Sequence, residues 1–182
     1  MLESLIAFTG AAVLIAMVPG PSTVVIMRSS VLSGRRAGLA AVLGNETGVL
    51  LWGLAAALGL SALLAASRLA YDGLRIAGAA VLVYFGARAL WQARRGAVTA
   101  AGVPGDPEDP EGAAGAVEGG SGPLGRYFRL GLITNFANPK AGVFAVSFLP
   151  QFVPEGWPVP VVLVGFSLLW ALIDLVWYTV VV

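Results

Sequence analysis

The chain reads as an all-α polytopic membrane protein, and three observations predict this. Of its 182 residues, 58% are hydrophobic and only 12% charged, far from the usual mix of a soluble domain. Several apolar runs reach or approach the roughly 20 residues of helix that cross a bilayer core of ~30 Å. Two of these runs are interrupted by proline near their middle, at Pro19-Gly20-Pro21 and at Asn138-Pro139-Lys140. In lipid, a proline break frees backbone groups that must find partners in protein or in a wet cavity. Paired breaks in two halves of a chain are the sequence pattern of a transporter's midplane site.

The elements follow in order. Span one covers about Leu5 to Leu32, with no acid and one base, Arg28, and ends at the turn Ser33-Gly34-Arg35-Arg36. Span two, about Ala37 to Ala66, carries Gly44-Asn45-Glu46-Thr47-Gly48. Gly44 and Gly48 lie one turn apart, a small-residue face that admits a close helix neighbour. Span three runs from about Tyr71 to Gln92. Residues 96–125 then turn rich in Gly, Ala and Pro, with five acids and no base, and are predicted to be a disordered linker. Span four is about Tyr127 to Phe152. Span five, about Val159 to Val182, stops on bare valines without an interfacial anchor, so a sixth span is expected. The predicted organisation is thus a first three-helix repeat over 1–95, the linker, and a second repeat over 126–182 lacking its last helix.

Basic residues set the orientation. Arg28, Arg35 and Arg36 flank the loop after span one; Arg88, Arg94, Arg95, Arg126 and Arg129 flank the linker. The N-terminus and the loop before span five have none, which puts the N-terminus outside and the linker in the cytoplasm. Met1-Leu2-Glu3 lacks the basic start of a signal peptide, so span one is expected to be retained. A net charge of +1 without a basic cluster argues against nucleic acid. With no Cys and no His, disulfides, thiolate or imidazole metal sites and His-based catalysis are excluded. No cofactor is expected.

Glu46, Lys140, Asp174 and, less deeply, Arg28 fall within spans. Intramembrane charge costs about 2.5–3.5 kcal/mol per residue even on the gentlest scale, so each is a candidate site residue. Glu46 and Asp174 lie at comparable depth in the inner half, Glu46 ~14 Å from the edge at 1.5 Å per residue. They could bind a substrate ammonium or take up protons in turn, or each could pair with a donor on a neighbouring helix. On an unbroken helix Gly131, Asn135, Asn138 and Gly142 share one face and Lys140 lies opposite. Either the Pro139 break turns Lys140 inward or it pairs with a carboxylate elsewhere; its expected roles are to hold a substrate carboxylate or to pair with Asp174. Asn135 and Asn138 serve as ligands or as interhelical bonds. Ser167, Trp170, Asp174 and Tyr178 form a polar-aromatic stripe, though Trp177 and Tyr178 also suit an interfacial belt.

At Pro19-Gly20-Pro21, Gly44-Asn45-Glu46-Thr47-Gly48, Asn135, Asn138-Pro139-Lys140, Leu149-Pro150-Gln151-Phe152, and Asp174 with Tyr178, the chain resembles the LysE/RhtB amino-acid exporter family. The resemblance covers nearly the whole chain apart from the linker. It implies a six-helix inner-membrane exporter of amino acids or related metabolites, with two inverted three-helix halves, proton coupling and homodimers. It carries the family's motif residues onto Pro19, Gly20, Pro21, Asn138, Pro139, Lys140 and Asp174. The long acidic linker and the absent sixth span depart from the family's pattern.

The reading is a secondary exporter rather than an enzyme, with Pro19, Gly20, Pro21, Glu46, Asn135, Asn138, Pro139, Lys140, Asp174 and Tyr178 around the substrate. An intramembrane enzyme needs a nucleophile with a base, or metal ligands, and only a carboxylate pair is present. A metal exporter would use more clustered carboxylates than this chain offers. A non-transporting membrane partner is the other rival.

Overall fold

The computed structural model describes residues 1–67 and 123–182, together with isolated helical positions between 69 and 91. Most of span three and the linker up to residue 122 therefore lie outside the described residues, as does any test of the three-helix repeats.

Every described segment is helix or short connection, and no strand occurs among the described residues. α1 runs Leu2–Met17 and stops because Pro19 cannot donate to it. α2, Pro21–Ser33, starts with proline at its first position, where no donor is lost, and Gly20 is its N-cap. The two halves meet at 56°, so the first span is broken as the prolines require. Gly34, at φ 86°, makes the turn into α3, Arg35–Ala66; a side chain there would be strained.

α4, Leu124–Ala137, begins slightly ahead of the boundary read from sequence and ends at Asn138, which caps α5, Pro139–Val143. The Asn138 side chain accepts the Lys140 N–H at 3.0 Å, the usual way an Asn starts a helix. α5 passes into a π-helical turn, Phe144–Phe148, and a 3₁₀ turn, Leu149–Phe152, which contains Pro150. Gly156, at φ 78°, turns the chain into α6, Val159–Val181. α3 and α6 are long and apolar enough to cross a membrane, and α1 with α2 makes a third such element if the bent pair is one span.

α3 is the central helix and packs against α2, α4 and α6. Glycines set its contact with α4. A Cβ at Gly44 would run into the Phe128 carbonyl, and one at Gly131 into the Ala41 carbonyl, so backbone lies on backbone. The apolar residues form two clusters. One gathers Phe8, Val49, Phe144, Leu163, Phe166 and Trp170; the other Ile26, Ala41, Val42, Tyr127 and Tyr178. Phe8 is the hub of the first, stacked on Phe166 with centroids 4.5 Å apart and meeting Phe152 edge-on at 5.4 Å. Along α6 the outward residues Val161, Val164, Leu168, Leu172, Val176 and Val180 are exposed large hydrophobics at 3–4 spacing, the face lipid would cover.

Candidate functional site

Between the two apolar clusters lies a polar layer. Along α6 the order is Phe166 and Trp170, then Asp174, then Tyr178; along α3 it is Val49, then Asn45 and Glu46, then Val42 and Ala41. The breaks of both interrupted spans fall in this layer. A small cavity here is lined by Ile15, Ser22, Asn45, Asn135, Asn138, Lys140, Ala141, Trp170, Asp174 and Tyr178. Its free space is about 10 Å³, room for a single water at most.

Each break is completed by groups from the other. Where Pro19 stops α1, the Ile15 carbonyl keeps one backbone bond, from the Val18 N–H at 3.3 Å, and the Val18 carbonyl lies just past the helix. The Lys140 ammonium donates to both, to Ile15 at 2.9 Å and Val18 at 2.8 Å. A cation at a helix C-terminus is also favoured by the helix dipole. In return, Asn138 Nδ2 donates to Ser22 Oγ at 3.3 Å, tying the second break to the start of α2. Gly20 donates its N–H to Thr23 Oγ1 at 3.3 Å, and Thr23 Oγ1 is also 3.3 Å from the Tyr178 hydroxyl.

A second chain of bonds joins α4 to α3. Asn135 Nδ2 donates to Asn45 Oδ1 at 3.1 Å, and Asn45 Nδ2 donates to Glu46 Oε1 at 3.0 Å. Asn135 leans over Gly48, whose missing side chain makes the space. Three buried acceptors have no hydrogen-bond partner: Asp174 Oδ1, Glu46 Oε2 and Asn135 Oδ1. Asp174 and Lys140 line the same cavity, where their opposite charges attract. A larger depression on the outer face of α2, lined by Val24, Met27, Arg28, Val31 and Leu32, lies away from all these groups.

A family model described as LysE type translocator matches residues 13–182. The chain belongs to that family. It is 27% identical over 155 residues to an uncharacterized membrane protein of Bacillus subtilis, covering 84% of this chain and 69% of that protein. It is 30% identical over 151 residues to an uncharacterized membrane protein of Pseudomonas aeruginosa, covering 81% and 63%. It is likewise 30% identical over 142 residues to the leucine efflux protein of Salmonella typhimurium, covering 78% and 59%. The chain thus spans about 59% to 69% of the length of these relatives. No solved structure matches it.

The LysE-type chain brings most of the sequence-predicted residues together. Asn135, Asn138, Lys140, Asp174 and Tyr178 line the cavity; Pro19, Gly20, Pro21 and Pro139 form the two breaks beside it; Glu46 joins through Asn45. The break turns Lys140 inward, as one of the two alternatives required. Its hydrogen bonds go to the Ile15 and Val18 carbonyls beside the first break, and the Asp174 carboxyl lines the same cavity. Both asparagines form interhelical bonds, and Tyr178 is buried against α2 rather than set in an interfacial belt. Ser22, Thr23 and Asn45 were not singled out from sequence as site residues. The available signal was a pair of small hydroxyl residues directly after a helix-starting proline.

Proposed function

We propose that the chain is a secondary transporter that exports amino acids or related small metabolites across the cytoplasmic membrane in exchange for protons. The observation that supports this best is the polar layer where two broken spans meet, with Asp174 buried in it and one of its oxygens unpartnered. The family, and relatives named leucine efflux proteins, make leucine the first substrate to test.

In this reading Asp174 receives the substrate ammonium or a proton, and Glu46 bears on the same exchange through Asn45. The substrate carboxylate lies toward the first turn of α2, where peptide N–H groups lack helical partners. Asn135, Asn138 and Tyr178 shape the site, and the breaks at Pro19, Gly20, Pro21 and Pro139 let the half-helices move. With room for about one water, the cavity must widen to take an amino acid, and alternating access moves one half of the chain against the other. The N-terminus lies outside, residues 96–125 lie in the cytoplasm, and two copies pair as a homodimer.

The test is uptake of labelled leucine and other amino acids into energised inside-out vesicles carrying the full-length protein. Asp174→Asn is expected to abolish uptake while leaving the protein inserted at normal abundance. Full transport by that variant would rule out the ammonium or proton role.

A further inference from the structure

We infer that the site selects its substrate by the amino group, and that it therefore takes primary amines with no carboxylate. This inference rests on the exporter reading above.

It follows from which groups at the cavity are already paired. The cationic side chain in the lining, Lys140, directs two N–H groups at the carbonyls of Ile15 and Val18. The side-chain amides are paired as well: Asn135 with Asn45, Asn45 with Glu46, and Asn138 with Ser22. On the acceptor side the balance is reversed. Asp174 Oδ1 and Asn135 Oδ1, on lining residues 6% and 2% exposed, have no partner, nor has Glu46 Oε2 behind Asn45, on a residue 6% exposed.

Buried acceptors without donors are costly, charged ones most of all. An alkylammonium brings one positive charge and three N–H donors to such a place, whereas a carboxylate brings only more acceptors. Trp170 Nε1, a donor in the lining, stands one helical turn from Asp174 and interacts with its carboxyl, so a carboxylate set against the indole competes with Asp174 and meets a like charge. The first-turn N–H groups of α2 are neutral, and the attraction of a helix end for an anion is modest. The amino group thus carries most of the recognition and the carboxylate little.

The experiment is displacement of labelled leucine from the full-length protein in detergent micelles, where no gradient exists for an amine to collapse. The competitors are 3-methylbutylamine, which is leucine without its carboxylate, and 4-methylpentanoate, which is leucine without its amino group. The amine is expected to bind within about tenfold of leucine, and the acid at least about a hundredfold more weakly. Lys140→Gln should weaken leucine and the amine by the same factor, leaving their ratio unchanged. Displacement by the acid but not the amine overturns the proposal, as does the failure of both where leucine itself binds. A Lys140→Gln variant that loses leucine but keeps the amine also overturns it, because Lys140 would then be the carboxylate's ligand. If leucine shows no displaceable binding, the amino acid that energised vesicles accumulate takes its place with its own amine and acid analogues; if the vesicles accumulate none, the exporter reading fails, and this inference with it.

Discussion

Gly44→Ala is the substitution with the most to say about how the site is held. The new Cβ would meet the carbonyl of Phe128 and lie 3.0 Å from the Leu132 nitrogen, both backbone atoms of α4. No side-chain rotation relieves that contact, so α3 and α4 must part. The neighbouring residue is Asn45, whose 3.1 Å bond from Asn135 spans the same interface and would stretch as the helices separate. Overpacking of this kind costs about 1–3 kcal/mol. A weakened buried hydrogen bond adds about 1 kcal/mol, so destabilisation of about 2–4 kcal/mol is expected. Gly59, on the same helix, is the control: no described atom lies within 4 Å of a Cβ built there. Gly59→Ala should be neutral or stabilising by up to about 1 kcal/mol through helix propensity. Both are read as unfolding midpoints in detergent micelles, with leucine binding in parallel. Equal midpoints for the two variants would refute the claim that backbone contact at Gly44 fixes the α3–α4 distance.

Three further outcomes are expected. Phe8→Ala removes a fully buried ring that contacts Phe144, Phe152 and Phe166, and should destabilise by about 3–5 kcal/mol in the same unfolding assay. Lys140→Met removes a bond from each of the Ile15 and Val18 carbonyls, leaving Ile15 with only the Val18 N–H, and should lower stability by about 1–3 kcal/mol, with partial recovery in Lys140→Arg; an unchanged midpoint would show those bonds to be incidental. Because the chain has no cysteine, single cysteines report topology cleanly. Glu155→Cys should react with an impermeant thiol reagent added to intact cells and Arg36→Cys should not, while the reverse pattern would invert the proposed orientation.

What could be read before any coordinates was what proline and hydropathy dictate locally. Pro19 and Pro21 remove donors from a helix wherever they occur, so the first break needed no tertiary information, and Asn138 followed by Pro139 is a cap and a first turn in its own right. Gly44 and Gly48 announced a close neighbour without saying which helix it was. The hydrogen-bond partners of Lys140 were not legible, because the Ile15 and Val18 carbonyls lie more than 120 positions away in the chain and come within its reach only in the folded protein. The connection from Glu46 to the cavity was hidden for a similar reason: it passes through Asn45 and Asn135, which are 90 positions apart in the chain. The π-helical turn at Phe144–Phe148 had no local signal, since Phe-Ala-Val-Ser-Phe carries no proline or glycine to mark it.

The tightness of the chamber carries a consequence of its own. A gap that admits one water cannot hold a continuous column of solvent between the two sides of the bilayer. For the exporter proposed above, the polar layer in this conformation would serve as a plug, with Lys140 tying one half-helix to the other. A gradient across the membrane would then not drain through it between turnovers.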